Sequence, residues 1–410
     1  MPPSDNAGSQ ISPQRGGALT GVRVLDCTHV TAGAWCSALL ADLGADVIKI
    51  EPLTGEMTRG AGARAFQPFD FVNRNKRAIS LDLSRPEGVA ALAELAEGAD
   101  VFVENFRPGA LDRLGLGYDA LSARNDSLIY CSVSGFGHDG PYRDRGGFDL
   151  IAQAMSGIIS LTGMPGSHEP VAAGVSIADL NAGVFAALGI LAALNERHRS
   201  GLGQRVETTL FEAAMSYTLW ETGLYLTEGE IAGPIGTQRP LGAPYEALQA
   251  ADGHIVVGVN NQKLWQRFCV AIDMPGLCDD PRFADNNSRV ANRAELRIII
   301  EHRLATDTVE AWIDRLVAVG IPCGPINNVA QAATDPQVAH RGFFVETEGR
   351  RFARAPLTMS RTPVTIRRGA ARIGQHTHDV LREAGWDEAR IAALAAAGAI
   401  SKADEENANG

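Results

Sequence analysis

The sequence predicts an α/β protein, a Rossmann-like large domain joined to a smaller α+β domain. Three observations predict it. Short β-rich runs alternate with helical patterns over residues 22–137, the signature of βαβ units and a parallel sheet. A long apolar run with helical spacing then begins at Leu180. Finally, Gly/Pro-rich stretches at 225–245 and 320–328 bracket a segment with its own strand and helices.

Residues 1–18 read as disordered. "VRVLDCT" (22–28) is a β-rich run, "AGAWCSALLADLG" is a helix closed by Gly44, and "DVIKIE" (46–51) is the next strand. "AISLDLS" (78–84), "DVFVENF" (100–106) and "SLIYCSVSGFG" (127–137) continue the strands, with helical patterns at 86–97 and 109–123 between them. From Leu180 the apolar residues recur at 180, 184, 188, 191 and 194, which predicts a helix buried nearly all round. "QRVETTL" (204–210) is another strand. "HIVVGV" is a strand of the smaller domain, followed by helices at 262–273, 290–306 and 308–319. The expected organisation is a large domain at 19–210 completed by 340–400, and a small domain at 235–325. Linkers fall at 211–234 and 326–339, and the tail 401–410 is disordered.

Of the 410 residues 45% are hydrophobic and 21% charged, enough for a sizeable core. The net charge of −11 argues against nucleic acid or an anionic membrane as partner. Arg350, Arg351, Arg354, Arg361, Arg367, Arg368 and Arg372 form one local basic stretch, most simply a solvated face. Six scattered cysteines without CxxC or zinc spacing fit a reducing compartment. The first seventeen residues hold no apolar signal region, and the apolar stretch from Gly183 to Leu194 is shorter than the ~20 residues of a membrane span. A soluble cytoplasmic protein is expected.

Several motifs are near misses. The loop after the first strand reads "THVTAGAWC", lacking the glycines that let a backbone approach a pyrophosphate, so a dinucleotide site is not expected. "GVSIA" (174–178) resembles a nucleophile elbow but has Ala178 at the last glycine position. His376 and His378 alternate without further ligands, which reads as a turn and helix start, and no metal site is expected. There remains Asp179 in "SIADLNAG", an acid at the mouth of the apolar run. As a helix N-cap it would contribute ~1 kcal/mol. As a reactive group, a carboxylate with pKa near ~3.9 is already ionised at neutral pH and needs only a reactive electrophile such as a thioester.

The segments "LTGVRVLDCTHVTAG", "GADVIKIE", "VNRNKRAISLDL", "VFVENFRPGALDRLGLGYDAL", "IYCSVSGFGHDGPY", "SIADLNAG", "GIPCGPINN" and "GQHT" occur in the order found in the class III CoA-transferases, the CaiB/BaiF family. Over about residues 19–400 the chain resembles that family. The resemblance implies Asp179 as catalytic nucleophile, and a CoA site formed by Thr31, Ala32, Leu81, Asp82, Asn105, Phe106, Arg107, Arg113 and Asp149. It implies acyl-CoA and a small carboxylic acid as substrates, no permanently bound cofactor, and an interlocked homodimer. Pro52 stands where formyl-CoA transferases carry an arginine, so one nucleotide contact is expected to be lost or to move, with Arg59 the candidate to take it. The glycine-rich loop of those enzymes has no counterpart at 233–262. Phe148 stands where related racemases carry a histidine base, which favours transfer over racemisation. Among family members, those using dicarboxylates with succinyl-CoA are the expected match. A non-catalytic CoA-binding protein and a thioesterase are the alternatives.

Overall fold

The structure is a computed structural model that describes residues 16–60 and 68–401; the expected disorder at 1–15 and 402–410 lies outside the described residues. In chain order the first elements are β1 (Arg23–Cys27), α1 (Ala32–Asp42), β2 (Asp46–Glu51), α2 (Pro68–Asn73), β3 (Arg77–Ser80), α3 (Pro86–Glu97) and β4 (Val101–Glu104). They continue with α4 (Tyr118–Ser122), β5 (Ile129–Ser134), α5 (Asp149–Met155), α6 (Ile158–Leu161), α7 (Ile177–Ser200), β6 (Arg205–Thr209), α8 (Leu210–Met215) and α9 (Leu219–Glu228).

Strands β1 to β6 form one parallel sheet in the order β3-β2-β1-β4-β5-β6. Alternation along each strand sends neighbouring side chains to opposite faces. Val24, Val47, Val101, Val103, Ile129 and Cys131 enter one buried cluster with α1 and α7. Leu25, Ile48, Phe102 and Tyr130 enter another with α3 and the C-terminal Leu381 and Trp386. The sheet is thus covered on both faces, which is why its strands read as nearly continuous apolar runs.

The described residues divide into two compact units: those of 1–159, 172–230 and 341–410, and those of 160–171 and 231–340. The second unit holds an antiparallel sheet of β7 (Tyr245–Gln249), β8 (His254–Gly258) and β9 (Cys323–Pro325), with α10 (Gln262–Ala271), α11 (Asn286–Ala291), α12 (Arg293–Leu304) and α13 (Val309–Ala318). It has its own core around Trp265, Phe268 and Trp312. It also includes α14 (Val329–Ala333) and α15 (Pro336–His340). The first unit then resumes with β10 (Phe344–Thr347), β11 (Arg350–Ala353), α16 (Thr377–Glu383) and α17 (Glu388–Ala396).

Several expectations are corrected. The helical pattern at 109–123 resolves into a 3-10 turn at Asp112–Leu114 and the short α4, because Gly115 adopts a left-handed φ of 70° between them. The Gly/Pro stretch 320–328 supplies β9 rather than a free hinge. The segments 211–234 and 326–339, expected as linkers, carry α8, α9, α14 and α15. Helix α7 is not buried all round, since Leu180, Val184, Phe185 and Leu188 are exposed. At 24 residues it is also long and apolar enough by composition to cross a membrane, unlike the shorter stretch read from sequence. Its other face is packed into the core. Gly183 lies so close to α1 that a Cβ there would meet the Ala32 carbonyl at 2.6 Å. The basic stretch is partly structural, with Arg350 pairing Asp70 and Arg354 donating to the carbonyls of Gly342, Arg341, Ala355 and Leu357.

Candidate active site

The strand order reverses direction between β1 and β4, so the loops leaving their carboxyl ends diverge and leave a crevice, the place where open parallel sheets bind ligands. A cleft of ≈ 240 Å³ lies there. Its walls come from the loop after β1 (His29, Val30, Thr31, Ala32), the loop after β4 (Asn105 to Pro108), the end of β5 (Val133 to Gly135) and the segment Arg145 to Phe148, with Asp179 and Leu210.

Asp179 reaches this cleft because α7 packs against the start of α1. Gly183, one turn further along α7, permits the close approach to Ala32, a wall residue. Asp179 is not the helix cap. The helix begins at Ile177, and the Ser176 side chain makes no capping bond. The acceptor is supplied from a distance, by Asp149 at the first residue of α5. Its Oδ1 accepts the amides of Ala178 (2.8 Å) and Asp179 (3.2 Å). Gln153 Nε2 donates to Asp149 Oδ2 at 2.6 Å, and the Gln153 Oε1 accepts the Ala173 amide at 2.9 Å. The Asp179 carboxylate itself has no hydrogen-bond partner among the described residues. Burial, and then the charge of Asp149, push its pKa up to about 6 rather than the ordinary value read from sequence.

The cleft walls are tied together. His29 donates its amide to Asn105 Oδ1 (2.7 Å), and Asn105 Nδ2 returns a bond to the His29 carbonyl (2.8 Å), joining the β1 and β4 loops across the crevice. The Phe106 ring meets the His29 ring edge-on at 4.9 Å. Val30, a β-branched residue in the left-handed region (φ 60°), is held there by Glu56 Oε2, which accepts its amide at 2.9 Å. On the far side of the β4 loop, buried Glu104 accepts the Phe106 amide (2.8 Å) and the Ser132 hydroxyl, and Ser132 Oγ lies 2.6 Å from His138 Nε2. Burial raises the Glu104 pKa to about 7. Beneath the β1 loop, Asp26 takes bonds from Lys76 Nζ (2.8 Å), Ser37 Oγ (2.7 Å) and Thr28, and buried Lys49 donates to the Thr28 carbonyl. Although burial opposes it, the two lysines hold Asp26 well below the usual carboxylate range.

Of the residues expected at the CoA site, Thr31, Ala32, Asn105, Phe106 and Arg107 line the cleft with Asp179. Leu81 and Asp82 line a neighbouring pocket of ≈ 230 Å³ with Glu51, Pro52 and Ser84, which shares His29 and Phe106 with the cleft. Asn105 spends both ends of its side chain on His29, so it shapes the wall. Asp149 likewise spends its carboxylate on the α7 amides. Arg113 is exposed on the 3-10 turn and lines neither pocket. Arg59 cannot take over the arginine contact missing at Pro52. Its guanidinium forks onto Glu51 (2.7 and 2.6 Å) and stacks over Phe69. Glu56, Glu104, Arg145 and the pair Gly135/Gly147 were not legible as site residues. Their roles depend on contacts between segments far apart in the chain.

The model of "CoA-transferase family III" matches residues 19–377. Succinate–glutarate CoA-transferase of Agrobacterium fabrum is 37% identical over 392 residues, spanning 90% of this chain and 96% of the relative. Succinyl-CoA:mesaconate CoA-transferase of Haloarcula hispanica is 36% identical, spanning 90% and 97%. The crystal structure of a CaiB/BaiF family protein from Brucella suis superposes with a TM-score of 0.83 at 35% identity, over 90% of this chain and all of that one. With a carboxylate facing a cleft at the sheet's switch point and this match over nearly its whole length, the chain belongs to CoA-transferase family III and is an acyl-CoA:carboxylate CoA-transferase.

Proposed function

We propose that the protein moves CoA from succinyl-CoA, or another dicarboxylyl-CoA, to a dicarboxylate acceptor, with Asp179 as nucleophile. The observation that carries this reading is the Asp179 carboxylate, free of hydrogen bonds among the described residues and facing the cleft with Thr31, Ala32, Asn105, Phe106 and Arg107. With a pKa of about 6 it is roughly nine-tenths ionised at pH 7, so it attacks without a general base.

In the proposed sequence an Asp179 oxygen adds to the donor's thioester carbonyl and expels CoA thiolate, leaving a mixed anhydride. The thiolate then attacks the Asp179 carbonyl, releasing the donor acid and leaving an aspartyl-CoA thioester. The acceptor carboxylate attacks that thioester, expelling thiolate and forming a second anhydride. Attack of the thiolate on the acceptor's carbonyl yields the new acyl-CoA and restores Asp179. Each step exchanges one acyl bond for another, so the thioester's free energy is conserved and no nucleotide is consumed. The CoA moiety lies along Thr31, Ala32, Phe106 and Arg107, with Leu81 and Asp82 in the adjoining pocket. Phe148, on the cleft wall, cannot carry a proton, which argues against a racemase.

The exposed apolar face of α7, with Leu219, Trp220 and Leu226 on α9, supports a second copy of the chain as partner in an interlocked homodimer. The six unpaired cysteines support a reducing, cytoplasmic setting. The test is to offer succinyl-CoA with a panel of mono- and dicarboxylates and follow new CoA thioesters by mass spectrometry. Dicarboxylyl-CoA products are expected. Free CoA without any new thioester would identify a thioesterase instead.

A further inference from the structure

A dicarboxylate presents two carboxylates to this site. One reacts at Asp179, and the other is a second anion that must be held inside or beside the same cleft. Desolvating it without a partner costs free energy, so a dicarboxylate-selective site needs a cation there. Among the cleft residues the guanidinium groups are those of Arg107 and Arg145. Arg107 also lines a small second pocket, shared with Glu104, Asp112, Asp119, His138 and Arg205.

Among the described residues neither arginine makes an ion pair or a side-chain hydrogen bond, but Arg145 alone of the two is held by an aromatic ring and lines only the cleft that holds Asp179. Its guanidinium carbon lies over the Tyr142 ring, 3.8 Å from the centroid, and Tyr142 packs in turn on Phe136 (5.7 Å) and Phe136 on Phe211 (6.0 Å). That contact leaves its N–H fork without a partner among the described residues, and a free fork can take a carboxylate in two parallel bonds. The segment bearing it is fixed as well. The Arg145 amide donates to the Tyr142 carbonyl (2.9 Å). Gly147 and Gly135 lie backbone against backbone, so close that a Cβ on either would come within 2.6 Å of the other's Cα. The Arg145 segment is thereby held against the end of β5, and both form wall of the cleft that holds Asp179.

We propose that Arg145 binds the distal carboxylate of the dicarboxylate substrate, and so sets selectivity for dicarboxylates over monocarboxylates. The proposal rests on the reading of the enzyme as a dicarboxylate CoA-transferase. Because donor acid and acceptor acid react at the same aspartate in turn, one subsite serves both the succinyl group of the donor and the distal end of the acceptor.

The experiment compares wild type, Arg145→Gln, Arg145→Lys and Arg107→Gln on two substrate pairs, succinyl-CoA with glutarate and acetyl-CoA with propionate. In Arg145→Gln, KM for succinyl-CoA and glutarate is expected to rise roughly 10- to 100-fold, the effect of losing one charge-assisted pair. KM for acetyl-CoA and propionate stays within about twofold. Arg145→Lys, which keeps the charge on a flexible stem, is expected to show the same selectivity at smaller size, and it serves if the Gln variant does not fold. Arg107→Gln is expected to weaken both CoA donors alike. Equal losses on both pairs in the Arg145 variants, or dicarboxylate-selective loss in Arg107→Gln instead, overturn the proposal and leave the dicarboxylate reading standing. A wild type that turns over only the monocarboxylate pair overturns that reading and this proposal with it.

Discussion

Replacing Asp149 by asparagine tests how the fold tunes the nucleophile. The amide side chain keeps an oxygen that can accept the Ala178 and Asp179 amides, so the start of α7 stays capped, but the negative charge beside Asp179 is gone. Two causes raise the Asp179 pKa from 3.8 to about 6, burial first and the Asp149 charge second. The smaller cause accounts for at most about half of that rise. In Asp149→Asn the Asp179 pKa falls, so the acid limb of kcat/KM should move to lower pH by up to about one pH unit. At pH 5, where about a tenth of wild-type Asp179 is ionised, the variant should gain up to several-fold relative to its own plateau. The assay is a pH–rate profile from about pH 4.5 to 8 with succinyl-CoA held well below KM. Asp149→Ala, which loses the cap as well, should in addition be less stable by ~1 kcal/mol. An acid limb that stays in place in Asp149→Asn, with the fold intact, refutes the argument that Asp149 tunes Asp179.

Other expectations concern the walls. Glu104 is buried and its pKa is raised to about 7, so the folded chain holds that proton more tightly than the unfolded chain does. Its contribution to stability is therefore full below the ordinary value of 4.5 and is lost as pH rises toward 7, on the order of 3 kcal/mol at most. Glu104→Gln should flatten that part of the stability curve in urea titrations, and an unchanged slope counts against the assignment. Gly147→Ala places a Cβ 2.3 Å from the Gly135 Cα, so the loop must move. A loss of about 1–3 kcal/mol in stability together with lower kcat/KM is expected, checked by melting and kinetics; a variant unchanged in both contradicts the backbone contact. Light scattering at micromolar concentration should give about 87 kDa, twice the chain mass of 43.5 kDa, and a particle of one chain mass contradicts the dimer.

The parallel sheet was legible because strands buried on both faces leave continuous apolar runs between helical patterns. Helix α3 was legible to its ends, with Pro86 starting it and Gly98 following it. The pattern at 109–123 misled, since Leu111, Leu116 and Leu121 are all buried at a spacing that also suits broken turns. The exposed face of α7 was hidden for another reason. Its open side carries the same Leu, Val and Phe as its packed side, so periodicity cannot tell which face lacks a neighbour. Asp179 stood out by its apolar surroundings. The misreading of it as a possible cap arose because the true cap acceptor, Asp149, is 30 residues away in sequence. The His29–Asn105 clamp and the Gly135–Gly147 contact likewise bring together loops that only the strand order makes neighbours. Glu104 and Glu56 look in sequence like strand-end and loop acids, and only burial against backbone amides reveals what they hold.

Transfer through Asp179 requires a covalent link to its carboxylate. The most direct measurement is to incubate the protein with succinyl-CoA alone, trap with hydroxylamine or borohydride, digest, and read the mass of the peptide containing Asp179. Modification at Asp179 is expected in wild type. None is expected in Asp179→Asn, a variant that should still fold and bind CoA while losing transfer by several orders of magnitude. An unmodified Asp179 peptide in a preparation that is transferring CoA, or near-wild-type turnover in Asp179→Asn with reversion to Asp excluded by mass, would contradict the covalent link.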